Sequence, residues 1–318
     1  MSYTILIAKG VSEIGKKYLL ERNYDVISEV TEEVIHEKIT SCDAILARTE
    51  PYTAEMLASA NHLKVIAKNG VGVDNIDINK ASELGIYVTN APLSNANSVA
   101  EHTLGLIMAC AKNILTIDNE LRLGNFDIRN QVVSYDLDGK TVGIIGYGRI
   151  GSLLAKKAVK GLGMRVVCYD PYVNLESLSP EVELVNHIET LLKKVDFVSL
   201  HLPFTSDTVG LIGANEIQMM KETAYLINTS RGELIHEDDL YRALKENQIA
   251  GAALDVFNQE PPSKRNPLFR LSNVIVTPHS AAMTTEAKDR MSLHAAIGID
   301  DVLSGKKPSW PVNIPIIK

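Results

Sequence analysis

Gly139-Lys140-Thr141-Val142-Gly143-Ile144-Ile145-Gly146-Tyr147-Gly148-Arg149-Ile150-Gly151 sets the architecture of this chain. An apolar β-type run, Thr141 to Ile145, passes directly into a glycine turn of the form GxGxxG, and the turn opens a helix-like segment, Ile150 to Leu162. Each glycine has its own task there. Gly146 permits the tight bend, Gly148 lets backbone approach a pyrophosphate, and Gly151 lets helix and strand pack closely. The helix N-terminus then offers N–H groups and a partial positive charge to phosphate. The next strand, Arg165 to Tyr169, ends at Asp170, roughly 20 residues beyond the turn. A carboxylate there accepts from a ribose 2′-hydroxyl and repels a 2′-phosphate. Pro171 follows it and no arginine adjoins, so the pattern favours NAD over NADP.

Short β-rich runs alternate with helical patterns on both sides of this stretch. Upstream, Tyr3 to Ala8, Ala44 to Ala47 and Leu63 to Ala67 read as strands, with helices at Ser12 to Glu21 and Thr53 to Ser59. Downstream, strands are expected at Phe197 to Leu200, Ala224 to Asn228, Ala250 to Asp255 and Val274 to Thr277, with a helix at His187 to Lys194. Near-continuous apolar runs separated by helices indicate parallel strands covered on both faces. The expected fold class is therefore α/β: two Rossmann-like, doubly wound parallel-sheet domains with a cleft between them. Two longer helical stretches, Ser98 to Asn113 and Thr284 to Leu303, flank the second unit. The last helix is expected to return to the first domain. That gives a discontinuous, flavodoxin-like substrate domain (1–97 plus 284–318) and a nucleotide domain (98–283).

The bulk composition narrows the function classes. At 318 residues the chain suits two domains, and 45% apolar residues supply their cores. A net charge of -7, from 32 Lys+Arg against 39 Asp+Glu, with no basic run, argues against nucleic acid and anionic membrane as partners. Cys42, Cys110 and Cys168 lie far apart without a CxxC, which reads as three reduced, buried thiols and no structural zinc. No apolar stretch reaches the ~20 residues that span a bilayer, and the strand-like run Tyr3 to Ala8 is preceded by no basic n-region and followed by no cleavage site. A cytoplasmic protein without a metal is expected.

Three residues downstream of the glycine turn carry the candidate chemistry. Arg231 follows Ile227-Asn228-Thr229-Ser230, just past a strand end, where open α/β sheets bind ligands. A guanidinium there grips a carboxylate with two parallel hydrogen bonds. His279 follows Val274 to Pro278, again past a strand end, and an imidazole exchanges protons near neutrality. Glu260 lies beyond a third strand end and would stabilise the charged imidazole. Alone, each is more simply a surface arginine, a capping histidine or a solvated glutamate; three at the ends of strands in one parallel sheet are not. His36, His62, His187, His236 and His294 lack ligand spacing. His102, in the apolar helix, reads as a hydrogen-bonded structural residue, and Trp310 as a packing anchor for the tail.

The chain resembles the D-isomer-specific 2-hydroxyacid dehydrogenase family over nearly its whole length. The resemblance rests on Asn69-Gly70-Val71-Gly72-Val73-Asp74-Asn75-Ile76-Asp77, Ser98-Val99-Ala100-Glu101-His102-Thr103-Leu104-Gly105-Leu106, the glycine turn, Asn228-Thr229-Ser230-Arg231-Gly232, and the Glu260 and Thr277-Pro278-His279 segments. Within the family it looks most like the phosphoglycerate dehydrogenase and hydroxypyruvate reductase branch. The resemblance implies Arg231, Glu260 and His279 as the catalytic set. It implies NAD contacts from Arg149, Ile150 and Asp170, from Leu202 and Pro203 of the His201 loop, and from Thr208, Thr229 and Asp255. The backbone of Gly70, Val71 and Gly72 would hold the substrate carboxylate, and Arg48 and Lys68 would lie toward a substrate phosphate. A homodimer through the Ser98 to Asn113 region is also implied.

Lys68 stands where phosphoglycerate enzymes commonly have arginine, and Val71 where some have threonine. Glu260 departs from the formate dehydrogenase branch, which carries glutamine. The chain ends soon after the returning helix, so feedback built on a C-terminal regulatory extension is not expected. The resulting expectation is hydride transfer between NAD(H) and a D-2-hydroxy acid, as in a 3-phosphoglycerate dehydrogenase. Reduction of hydroxypyruvate or glyoxylate is the alternative. An NAD(H)-sensing, corepressor-like interaction protein is the rival from another class, because corepressors of this fold carry the same Arg/Glu/His set.

Overall fold

A computed structural model describes residues 3–316 and divides the chain into two compact units, 1–96 with 282–318, and 97–281. In the first unit, strands β1 (Thr4–Ala8), β2 (Asp25–Val30), β3 (Ala44–Ala47), β4 (Val65–Lys68) and β5 (Tyr87–Thr89) form one sheet in the order β2-β1-β3-β4-β5. Every pairing is parallel, and the order is that of a flavodoxin-like sheet. Helices α1 (Glu13–Leu20), α2 (Glu32–Lys38), α3 (Ala54–Ala58) and α4 (Ile78–Glu83) connect the strands.

The second unit opens with α5 (Ala96–Ala111) and α6 (Ile114–Arg122). Its sheet comprises β6 (Thr141–Ile145), β7 (Arg165–Tyr169), β8 (Val182–Leu184), β9 (Phe197–Leu200), β10 (Tyr225–Asn228), β11 (Gly251–Leu254) and β12 (Val274–Val276), in the order β12-β11-β10-β9-β6-β7-β8. Helices α7 (Arg149–Leu162), α8 (Ile188–Lys194), α9 (Ala214–Gln218) and α10 (Glu237–Lys245) cross between strands. The strand order reverses at β6, the topological switch point where such sheets bind ligands. The last helix, α11 (Thr285–Leu303), packs in the first unit.

The central strands are buried on both faces, as at β3, β9 and β11, which explains their unbroken apolar runs. Leu154, Ala155 and Ala158 of α7 share one core with Val142 and Ile144 of β6. That helix ends at Gly163 in the left-handed region (φ 63), whose N–H caps Ala158 and Val159. In the first unit α11 starts from Thr284, whose hydroxyl accepts from the Ala287 N–H, and packs Ala295, Ala296 and Ile299 against Ile5, Leu46 and Val65. The tail then covers the β5 edge. Val312 N–H donates to Val88 O, and Asn313 accepts from Val88 N–H and donates to Ile86 O. Trp310 anchors this strap by lying on His294, with ring centroids 4.5 Å apart.

All three cysteines are free and buried, and burial pushes their thiols up to about 12 (Cys42), about 12 (Cys110) and about 11 (Cys168). Among the described residues no helix is long and apolar enough to cross a membrane, and no group of three or more His, Cys, Asp or Glu could hold a metal ion.

Candidate active site

Arg231, Glu260 and His279 lie beyond the C-terminal ends of β10, β11 and β12, three adjacent strands. Their register aligns Asn228 with Leu254 and Leu254 with Val276, so the three loops leave the sheet side by side. His279 Nδ1 is 2.6 Å from Glu260 Oε2, and Glu260 Oε1 accepts from the Phe257 N–H. Burial pushes the Glu260 carboxyl up. The hydrogen bond and charge of His279, the Phe257 amide and the Arg231 guanidinium outweigh it, and the net pKa lies below the ordinary glutamate value. An ionised carboxylate only accepts, so Nδ1 of His279 carries the proton and Nε2 is left to exchange one. The imidazole is half exposed, so Nε2 is accessible to a molecule from solvent.

The local backbone explains how each side chain is held. Asn228 is completely buried and spends its amide on the Arg231 loop, donating to Arg231 O and accepting from Ser230 N–H. A Cβ at Gly232 would lie 2.0 Å from the Phe257 carbonyl carbon, so the Arg231 loop rests directly on the loop that leads to Glu260. Glu237, at the start of α10, pins that second loop by accepting from Asn258 N–H (2.7 Å) and the Asn266 amide (3.2 Å). His279 adopts a left-handed backbone (φ 50), unusual for a residue with a side chain. Its own N–H donates to Asp255 O, while Ser280 and Ala281 N–H donate to the two oxygens of the Asp255 carboxylate. The structure thus gives Asp255, wholly buried, the task of holding the His279 turn.

The glycine turn fits a bound dinucleotide. Gly146 has φ 95, and a Cβ on it would lie 2.6 Å from His201 O, while one on Gly151 would lie 2.3 Å from Gly146 O. At Gly148 a Cβ would meet nothing within 4 Å, which leaves the mouth of the turn open. Gly148 caps α7 without a side-chain hydrogen bond, so the first amides of that helix, beside Arg149 and Ile150, have no side-chain cap. Asp170 stands at the end of β7, where its two oxygens accept from Tyr147 and Tyr172 N–H, both at 2.8 Å. The Leu202–Pro203 loop is fastened by Ser230 Oγ donating to Leu202 O (2.5 Å) and by Thr208 Oγ1 donating to Pro203 O (2.8 Å). Thr229 pairs with Thr103 of α5 at 2.8 Å. Thr103 gives its own hydroxyl proton to Val99 O, so Thr229 is the donor and keeps only lone pairs for another group.

The substrate residues expected in the first unit cluster at the ends of β3 and β4. Lys68 Nζ donates to Arg48 O and to Asn75 Oδ1, each at 2.5 Å. Arg48 reaches back to Lys9 O at 3.4 Å, and its N–H donates to Glu50. Gly70 has φ 154, Val71 is exposed, and Asn90 donates from its amide to Val71 O (2.7 Å).

Residues 104–281 match the family description "D-isomer specific 2-hydroxyacid dehydrogenase, NAD binding domain". A D-3-phosphoglycerate dehydrogenase of Methanocaldococcus jannaschii is 44% identical over 98% of this chain and 60% of its own length. A glyoxylate reductase of Korarchaeum cryptofilum is 39% identical over 98% of this chain and 94% of its own. The chain belongs to the D-isomer specific 2-hydroxyacid dehydrogenase family. Its fold agrees with that of a D-lactate dehydrogenase from Aquifex aeolicus, solved with NAD and lactic acid, at a TM-score of 0.84 and 29% identity over 95% of this chain and 96% of that one. The chain spans about 60% of the length of the M. jannaschii dehydrogenase.

Sequence reasoning missed Glu237 and Asn90, and it read Asp255 only through the family. Nothing in a helix-start glutamate or a loop asparagine announces the loop it ties; those partners stand 21 and 19 residues away.

Proposed function

We propose that this chain moves a hydride between NAD(H) and a D-2-hydroxy acid or its 2-keto acid, with 3-phosphoglycerate chemistry as the first reading. The observation that carries it is the 2.6 Å His279–Glu260 pair beside the Arg231 loop, on three adjacent strand ends. The nicotinamide, when bound, supplies the hydride chemistry. Protonated His279 holds a proton at Nε2 for the carbonyl oxygen in reduction, and neutral His279 takes the hydroxyl proton in oxidation. Glu260 orients the ring through Nδ1 and stabilises its charged form. Arg231 pairs with the substrate carboxylate. Gly146, Gly148 and Gly151 with the start of α7 hold the pyrophosphate, and Asp170 the adenosine ribose.

Arg48, Lys68 and the Gly70–Gly72 backbone are the proposed substrate contacts of the first unit. The tether of Lys68 to Arg48 O and Asn75 favours a second reading. An ammonium already donating to two fixed acceptors grips a phosphate less well than an arginine fork, and a smaller acid such as hydroxypyruvate or glyoxylate needs no such grip. Initial rates of NADH oxidation with 3-phosphohydroxypyruvate, hydroxypyruvate, glyoxylate and pyruvate separate the two. The first reading expects the highest kcat/KM for 3-phosphohydroxypyruvate. No turnover with any of these acids would sink both.

We also infer a homodimer. Helix α6 buries none of its residues, and Ile114, Leu115 and Leu121 on it, with Leu123, Phe126 and Val133 beyond it, are exposed apolar side chains on one continuous segment. A second copy covering this segment accounts for them. Three free, buried thiols support the cytoplasm as its place.

A further inference from the structure

The left-handed turn at His279 persists only because neighbours hold it, and all the amides that close it converge on Asp255. Asp255 is held in return from the turn and from α5: Thr277 O also accepts from His279 N–H (3.1 Å), and Ser280 Oγ reaches Asp255 Oδ1 at 3.4 Å. Thr277 donates its hydroxyl proton to Asp255 Oδ1 (2.5 Å). His102, on α5, places Nε2 3.2 Å from that same hydroxyl oxygen and 3.7 Å from Asp255 Oδ1. Thr277 has spent its only proton, so the imidazole is the donor and Nε2 carries hydrogen. The relay runs from His102 N–H to the Thr277 hydroxyl to the Asp255 carboxylate, which then receives Ser280 and Ala281 N–H. Asp255 is 0% exposed, so no bulk water replaces a donor lost from its carboxylate. The next residue on α5, Thr103, independently holds Thr229 of the Arg231 loop. One turn of one helix thus braces two of the three catalytic loops.

We propose that His102 is a positioning residue for the proton-transfer step: through Thr277 it fixes Asp255, and through Asp255 the His279 turn. This rests on the reading of His279 as the acid/base. The test uses the full chain with His102→Ala, His102→Gln and Thr277→Val. The readouts are kcat, KM for NADH, and amide hydrogen exchange at Ser280 and Ala281. His102→Ala is expected to lower kcat at least 10-fold, leave KM for NADH within two-fold, and speed exchange at both amides at least 10-fold. His102→Gln keeps an N–H for Thr277 and is expected to recover kcat to within three-fold of wild type. Thr277→Val preserves shape, breaks the relay one bond nearer Asp255, and should reproduce the His102→Ala loss. A folded His102→Ala or Thr277→Val protein with wild-type kcat and exchange overturns the proposal, as does a His102→Gln protein no better than His102→Ala. If the wild type turns over no 2-keto acid, the dehydrogenase reading fails, and the exchange measurement still decides the role of His102.

Discussion

Gly232 stands beside Arg231, where a methyl group would collide with the Phe257 backbone. Gly232→Ala is therefore expected to force the Arg231 and Glu260 loops apart and to lower kcat/KM for the 2-keto acid by about 10- to 100-fold, with NADH affinity changed little. Misplacement of reacting groups by about an ångström has that size of effect. Removing the imidazole in His279→Ala should cost about 10²- to 10⁴-fold in kcat, while fluorescence titration still reports NADH binding. His201 gives a stability test. Its Nδ1 is buried without a partner, its Nε2 lies 2.9 Å from Ser199 Oγ, and burial lowers its pKa to about 4 from the ordinary 6.5. The unfolded chain takes up this proton below pH 6.5 and the folded chain only near pH 4. The unfolded state therefore binds more protons in that window, and stability falls as pH falls, by about 3 kcal/mol across it. Urea midpoints measured from pH 7 to pH 4.5 should decline in the wild type and decline less in His201→Gln.

Among elements, the β6–turn–α7 unit has close backbone approaches at two of its glycines, Gly146 and Gly151. Gly151→Ala would put a methyl 2.3 Å from Gly146 O and 3.0 Å from Ile144. Helix α7 would have to move off β6 and carry its N-terminal amides away from the phosphates, so NADH affinity should fall at least 10-fold. This change should weaken KM for 2-keto acid less than that for NADH, the reverse of Gly232→Ala. This unit was also the most legible in the sequence, because its constraints are local: a bend, a close approach and a helix start within one short stretch. Strands β2, β5 and β8 were not read. All three are edge strands; β5 and β8 have three residues each, and β2 is only half-buried. Their patterns are too short or too mixed for periodicity to separate from loop, whereas β12, an edge strand as well, keeps an unbroken Val-Ile-Val run and was legible. The Ser98 to Asn113 helix begins earlier and ends earlier, at Ala96 and Ala111, and Asn113 takes a left-handed turn (φ 50) into α6.

For the molecule as a whole, the exposed apolar segment after α5 calls for a partner. Leu123→Glu with Val133→Glu should shift the protein in light scattering from twice the chain mass to once, whereas wild type that runs as a monomer at micromolar concentration would remove the homodimer.

The order of glycines, strands and charged residues along the chain already carried the α/β class and the glycine turn with Asp170 at the next strand end, and it singled out Arg231, Glu260 and His279 as candidates, because those signals lie within single supersecondary units. It could not carry their grouping in space. Parallel pairing of β10, β11 and β12 brings together loops separated by tens of residues, and buried Asp255, with His102 and Thr277 beside it, supplies the hydrogen bonds that hold His279 in a left-handed turn. Such contacts depend on which strand lies beside which, and that is settled when the apolar faces of the sheet are covered.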